Sequence, residues 1–127
     1  MALDRSYRKL PACRAAMKLT QSIYALTKHF PDDERTVLTG TLKRMATSIP
    51  TKVAESHDQD DPAEAISALV AAQTTLRDVA AYLDVAERLR LTARRRFWRP
   101  RRRARKVAEK LADLTHTKMA DDMPKSA

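Results

Sequence analysis

The sequence predicts an all-α protein, an antiparallel up-down bundle of four helices, and three observations carry that prediction. Ala, Arg and Leu are the commonest of the 127 residues, and these are strong helix formers. Gly40 is the single glycine, whereas the tight turns of β-sandwiches and barrels need many residues with positive φ. Finally, apolar residues recur every three or four positions in four separate stretches.

The first helix is predicted over residues 11–30. Pro11 suits a first helical turn, where its missing N–H has no intrahelical acceptor, and Pro31 ends the helix because the residue before a proline avoids the α region. One apolar face follows from spacings of four, three and four residues: Leu19, Ile23, Leu26 and Phe30.

The second helix is predicted to open at the acidic run 32–34, which favours the positive end of the helix dipole. Pro50 removes one backbone hydrogen bond and crowds the carbonyl of Ala46, so we expect a kink there or a final turn offset from the main axis. A polar acidic loop is predicted over residues 57–61. The apolar face of this helix comprises Leu38, Leu42, Met45, Ile49 and Val53.

The third helix has the clearest start, because Asp61, Pro62 and Glu64 form a capping-box pattern. It is predicted to continue to about Leu91. Its apolar face comprises Ile66, Leu69, Gln73, Leu76, Ala80 and Leu83, with Val70 and Val79 alongside.

The fourth helix is clearest over residues 104–116. Its stripe comprises Ala104, Val107, Leu111 and Leu114. We therefore expect one bundle domain over residues 1–119 and a frayed tail over residues 120–127. Five small residues are expected to let the helices of this bundle approach closely: Ala15, Ala16, Ala46, Ala80 and Ala104.

Several classes of protein are disfavoured by what the sequence lacks. A single cysteine, Cys13, excludes an internal disulfide and most simply fills a core position, with a reactive thiol as the alternative. The longest uncharged run, residues 65–76, has twelve residues, whereas a membrane span needs about 20. The first six residues contain no apolar segment. We expect a soluble, cytoplasmic protein without a membrane partner.

No catalytic or metal-binding constellation is visible in the sequence. His29, His57 and His116 lie on separate segments without ligand spacing. Tyr24 fits an edge-of-core residue with a hydrogen-bonded hydroxyl, and Ser48 fits a residue that shapes its helix. We therefore expect a protein that is not an enzyme, with no catalytic residue, no metal and no cofactor.

Two blocks of sequence resemble a known family. Residues 23–34 read Ile-Tyr-Ala-Leu-Thr-Lys-His-Phe-Pro-Asp-Asp-Glu, and residues 42–50 read Leu-Lys-Arg-Met-Ala-Thr-Ser-Ile-Pro, followed by Val-Ala-Glu at 53–55. They resemble the four helix bundle proteins first noticed as encoded by intervening sequences in bacterial 23S rRNA genes. The resemblance covers about residues 7–90, with Lys52 and Ser56 where that family has Asn and Gly.

This resemblance implies a four-helix protomer that assembles into a homo-oligomeric ring, typically a pentamer. It also implies kinship with the accessory variability proteins of diversity-generating retroelements, which are basic bundles that bind nucleic acid and a reverse transcriptase. The resemblance implies no catalytic activity.

The most informative feature is an arginine-rich segment, residues 94–106, with nine basic residues and no acid. This segment alone matches the net charge of +9 of the whole chain, whose pI is near 10.1. Arginine presents planar forks that match phosphate oxygens, and Trp98 could stack on single-stranded bases. The candidate nucleic-acid-binding residues are Arg94, Arg95, Arg96, Trp98, Arg99, Arg101, Arg102, Arg103, Arg105 and Lys106.

These residues favour a non-enzymatic, self-associating bundle that binds RNA or single-stranded DNA mainly through phosphate contacts. The alternative is a structural adaptor whose arginine-rich segment docks an acidic protein, such as a retroelement reverse transcriptase. A neighbouring subunit's acidic loop (Asp58, Asp60, Asp61) and a merely solvated face also stay open, and Phe97 fits a core position seven residues before Ala104.

Overall fold

The computed structural model describes residues 5–32 and 35–123. Within these ranges the chain is all-α, as predicted, and contains no strand. A 3-10 turn precedes the first long helix, a π-helical turn precedes the second, and another 3-10 turn precedes the fourth: Ser6–Lys9, Arg35–Thr39 and Arg94–Phe97. The four α-helices are α1 (Pro11–Thr27), α2 (Gly40–Asp58), α3 (Pro62–Arg88) and α4 (Trp98–Asp122).

The helices form a four-helix bundle in which each packs against two others, α1 and α3 both lying between α2 and α4. Two contacts join the start of one helix region to the end of its neighbour, Ser6 with His57 and Phe30 with Phe97. Gln73 in the first half of α3 contacts Thr115 in the second half of α4. Only residues 59–61 connect α2 to α3. The order along the chain is therefore antiparallel and up-down, and α1 lies diagonally across the bundle from α3.

The boundaries of the first two helices differ from the prediction. α1 ends at Thr27, and residues 28–30 turn away from the helix with backbone bonds from His29 and Phe30 back to the last turn. α2 begins at Gly40 rather than at Asp32, and it continues through Asp58 into the predicted loop. Two residues of the predicted acidic start, 33 and 34, lie outside the described residues.

Helix α3 begins as predicted, since the Asp61 carboxylate accepts a hydrogen bond from the backbone N–H of Ala63 (3.0 Å). It ends at Arg88. α4 begins at Trp98, six residues before the predicted start, because Pro100 lies in the first turn, where a missing N–H is tolerated. α4 extends through Asp122, so the first three residues of the predicted tail are helical; residues 124–127 lie outside the described part.

The core follows the predicted faces of α1 and α2 closely and those of α3 and α4 less closely. On α3 the prediction was wrong for Val70 and Ala80, which are exposed. The buried face of the helix is instead a row of residues that includes several alanines. The buried α3 residues are Ala65, Leu69, Ala72, Leu76, Val79, Leu83 and Ala86. On α4, Leu114 is half-buried, and the buried residues are Pro100, Ala104, Val107, Leu111 and Thr115.

Helix α2 spans Pro50, and a side chain of α1 supplies a donor to the carbonyl that the proline leaves without one. Pro50 has no N–H to donate to the carbonyl of Ala46, which lies on a fully buried residue. The Thr20 hydroxyl lies 3.1 Å from that carbonyl oxygen and 3.0 Å from the carbonyl oxygen of Ala16 in its own helix. The Thr20 hydroxyl therefore links α1 to α2 at the position where the backbone hydrogen-bond pattern of α2 is interrupted.

We predict that Thr20→Val lowers the free energy of unfolding by about 1 to 2 kcal/mol, because the buried carbonyl of Ala46 loses its donor. The cost should shrink in a Pro50→Ala background, where residue 50 supplies its own N–H. Urea denaturation followed by circular dichroism at one protein concentration measures both differences.

Thr74→Val is the matched control, since its hydroxyl donates only to the carbonyl of Val70 in its own exposed helical turn. It should change stability by less than Thr20→Val. The account would be contradicted if Thr20→Val lowered the free energy of unfolding by the same amount with Pro50 as with Ala at position 50.

Candidate nucleic-acid interface

The arginine-rich segment is oriented by one aromatic anchor. Phe97 ends the 3-10 turn Arg94–Phe97 and is 1% exposed, and its ring stacks on that of Phe30 with centroids 6.3 Å apart. The alternative in which Phe97 is a core residue is therefore confirmed. With Phe97, Pro100 and Ala104 facing inward, the residues between them must face outward or sideways along α4.

The predicted site residues follow one another through the 3-10 turn and the start of α4, and they project to three sides of it: outward, toward α3 and toward α1. Arg101 and Arg103 are half-buried. The exposed ones are Arg94, Arg95, Arg96, Trp98, Arg99, Arg102, Arg105 and Lys106.

Two concavities flank Trp98. The first, of about 600 Å³, lies on the outward face of α4 and is lined by Trp98, Arg102, Arg103, Arg105, Lys106 and Glu109. The second, of about 350 Å³, lies between α1 and the start of α4. Its lining includes Ser22, Ala25 and His29 from α1 and the following turn, and Arg95, Arg96 and Arg99 from the arginine-rich segment. Trp98 lines both, so it stands at the centre of the basic surface.

Arg101 differs from its neighbours because it is bound to α3. Its two terminal nitrogens contact the Asp84 carboxylate at 2.8 Å and the Glu87 carboxylate at 2.6 Å. Burial alone lowers the pKa of the Arg101 guanidinium, but hydrogen bonds and charges from Asp84 and Glu87 outweigh it and raise that pKa. Arg94 also reaches Glu87, at 3.4 Å. These ion pairs fasten the start of α4 to the end of α3.

The other basic residues of the segment are largely without acidic partners. Lys106 contacts Glu109 at 3.7 Å. Within residues 5–32 and 35–123, six others form no ion pair: Arg95, Arg96, Arg99, Arg102, Arg103 and Arg105. Six cationic groups on one short stretch raise the local positive potential and attract anions.

His29 belongs to this surface, although sequence reasoning did not include it. An Arg96 guanidinium nitrogen lies 2.9 Å from His29 Nε2. Because arginine can only donate, His29 Nε2 is the acceptor in this contact. A side chain in the turn after α1 thus positions Arg96 without an acidic partner.

Trp98 is the exposed aromatic residue of the interface. Its side chain is 58% exposed, and the Arg102 guanidinium carbon lies 5.3 Å from the ring centroid. That distance is typical of a cation–π contact, which holds a flat ring beside a guanidinium plane. An exposed tryptophan among arginines is an arrangement on which a nucleobase can stack while its phosphates are bound.

The candidate nucleophiles and ligands lie elsewhere and in inert surroundings. Cys13 is 1% exposed, and burial raises the pKa of its thiol against the opposing charge of Arg8. The Ser48 hydroxyl donates to the backbone carbonyl of Met45 at 2.8 Å. Tyr24 is 41% exposed, with Lys43 Nζ 4.7 Å from its ring centroid.

Two further features of the described part of the chain concern metal binding and membrane insertion. No group of three or more His, Cys, Asp or Glu residues there is arranged to hold a metal ion. No described helix is long and apolar enough to cross a membrane.

The sequence model of the 23S rRNA-intervening sequence protein family matches residues 8–113. The chain belongs to that family. The resemblance inferred from residues 23–34 and 42–55 is therefore confirmed, and the match extends past the arginine-rich segment. A comparison with curated proteins found no match.

Sequence reasoning found the basic residues of this family member but not their partners. Asp84 and Glu87 lie on α3, on the far side of a turn from Arg101, so no motif links them. Glu87 and Arg101 are 14 residues apart in sequence, and the chain reverses direction between them at residues 89–93.

Proposed function

We propose that the protein is a non-enzymatic, self-assembling helical bundle that binds RNA or single-stranded DNA through its arginine-rich segment, mainly by phosphate contacts. One observation carries the proposal: six basic residues without an ion pair in the described part of the chain surround the exposed ring of Trp98. Phosphate oxygens accept the paired donors that a guanidinium presents.

The electrostatics of α4 favour an anionic partner. The helix begins with no acidic residue in its first turn and no side-chain N-cap, so its positive dipole end adds to the arginine charges. These positive charges repel one another in the protein alone. Phosphates that approach them replace this repulsion by attraction. Release of the counterions condensed on the nucleic acid then supplies much of the binding free energy.

Base recognition contributes little sequence preference in this proposal. Trp98 offers one stacking surface, and every base has a π-face. The remaining contacts go to phosphates, which position a strand but carry no sequence information.

Replacing Arg95, Arg99, Arg102 and Arg103 by Gln should weaken binding to all single strands alike. Each phosphate contact contributes about −0.7 to the slope of log affinity against log salt on single strands. The four-Gln variant should therefore have a slope shallower by about 3, measured by fluorescence anisotropy with labelled oligouridylate and oligothymidylate.

Two controls accompany this measurement. A matched variant in which Lys9, Arg88, Lys110 and Lys118 become Gln loses the same net charge outside the arginine-rich segment and should keep the parental slope. Arg101→Gln should lower the urea midpoint, because it breaks two ion pairs, and change the slope by no more than one contact.

A parental slope for the four-Gln variant would contradict the assignment of the arginine-rich segment. If the parent itself bound neither oligonucleotide with a salt-dependent affinity, docking of an acidic protein partner would replace nucleic acid as the proposed function.

Self-association is supported by the outward face of α3. Three large apolar side chains are exposed on this helix, and a fourth follows directly at its end: Val70 (48%), Tyr82 (38%), Val85 (47%) and then Leu89 (58%). Exposed apolar surface of this kind is what protein contacts cover. Because α3 lies diagonally opposite α1, copies associated through α3 would leave the basic surface between α1 and α4 open. The resemblance implies that the closed assembly is a pentamer.

Static light scattering tests the assembly. We expect the parent to have the mass of a pentamer, and Val85→Glu to have a smaller mass at the same concentration because a charge enters the apolar face. Val37→Glu, at a residue 70% exposed outside α3, is the control and should keep the parental mass. A monomer mass for the parent across micromolar concentrations would refute self-association.

A further inference from the structure

A second basic surface, the α2 patch, lies on the outward side of the neighbouring helix. It is a concavity of about 400 Å³ lined by Lys43, Arg44, Thr47, Ser48, Thr51 and Lys52 of α2 and bounded by Tyr24 of α1. Neither the arginine-rich segment nor the predicted site residues include any of these side chains. The patch is therefore a separate feature of the surface.

Its three bases, Lys43, Arg44 and Lys52, form no ion pair with any residue in the described ranges. Lys43 Nζ lies 4.7 Å from the centroid of the Tyr24 ring, so the ring orients the ammonium group without neutralising it. Glu55 follows one turn beyond Lys52 and is not part of the lining. Like six bases of the arginine-rich segment, the three bases of the patch thus carry positive charges that no acidic residue in the described ranges neutralises.

The hydroxyl groups of the patch are already committed to α2 itself. Thr47, Ser48 and Thr51 donate to backbone carbonyls one turn earlier, at 2.5, 2.8 and 3.2 Å. Their protons are therefore not available to a ligand, and the donors that remain are one guanidinium and two ammonium groups. Such a set recognises negative charge rather than the hydrogen-bonding pattern of a particular small molecule, which fits backbone phosphates.

The patch lies within reach of a strand bound at the arginine-rich segment. Tyr24 borders the α2 patch, and its sequence neighbour Ala25 lines the concavity that contains Arg95 and Arg99. The two basic surfaces are therefore separated by about one helix diameter, roughly 10 Å. Helix α1 contains no acidic residue from Pro11 to Thr27, so a strand that crosses it meets no negative side chain on that helix.

We propose that the α2 patch is a second phosphate-binding site for the same single strand, which runs from the arginine-rich segment across α1 to Lys43, Arg44 and Lys52. This inference rests on the proposed function and adds the path of the strand and a minimum length for full affinity. A short oligonucleotide reaches only the first surface, and a longer one reaches both.

The test replaces Lys43, Arg44 and Lys52 by Gln and measures binding of oligothymidylates of about 4 and about 16 nucleotides, the range that single-strand-binding folds cover. We expect unchanged affinity for the short strand. For the long strand we expect a loss on the order of tenfold at physiological salt and a salt slope shallower by about 2, since three phosphate contacts of about −0.7 each are removed.

Two further variants keep the result interpretable. The charge-retaining variant Lys43→Arg, Arg44→Lys, Lys52→Arg should bind the long strand like the parent, and a variant with Arg77, Arg88 and Lys118 changed to Gln should do the same. Thermal melting by circular dichroism checks that each variant is folded.

The outcomes separate this inference from the function on which it rests. If the α2 variant binds the long strand like the parent while the four-Gln variant of the arginine-rich segment loses affinity, the second site is wrong and the proposed function stands. An equal loss for short and long strands also overturns the second site. If neither variant loses affinity, the strand binds at neither of these two surfaces. If the parent itself binds no oligonucleotide, the nucleic-acid function is wrong.

Discussion

The burial of Phe97 against Phe30 is the contact on which the rest of the arginine-rich surface depends. It joins the end of α1 to the start of α4 and places the 3-10 turn Arg94–Phe97 at the edge of the core. Once Phe97 faces inward, the helical repeat directs Pro100 and Ala104 inward as well. The charged residues between them are then displayed outward without any need for a loop to be ordered by a ligand.

Because Phe97 fixes the orientation of α4, the two sides of this helix have different roles. On the side facing α3, Arg101 is held by Asp84 and Glu87, and these contacts fasten the helix to the bundle. On the outward side and toward α1, the arginines have no acidic partners in the described part of the chain and surround Trp98. A rigid helix that presents unmatched charge loses little conformational entropy when it binds a flexible strand.

The sequence predicts the fold class and the core faces of α1 and α2, because steps of three and four residues determine which side of a helix is apolar. It places α4 too late, because the arginine run carries no apolar periodicity until Ala104 and because Pro100 resembles a helix breaker although it lies in the first turn. It also cannot separate Arg101 from Arg102: both are arginines in one run, and only the position of Glu87 across a turn decides which one is paired. The sequence does not predict the α2 patch, because Lys52 lies eight residues after Arg44 and only the folded helix brings it to one surface with Lys43 and Arg44.

The fluorescence of Trp98 tests the central claim most directly, because Trp98 is the single tryptophan of the chain and stands within the basic surface. Titration of the protein with oligothymidylate should quench this fluorescence, and added salt should restore it as the phosphate contacts dissociate. Polyglutamate, an acidic chain without bases, is the control and should leave most of the emission unchanged. Emission that oligothymidylate does not alter, under conditions where the parent binds it by anisotropy, would contradict a strand bound across the start of α4.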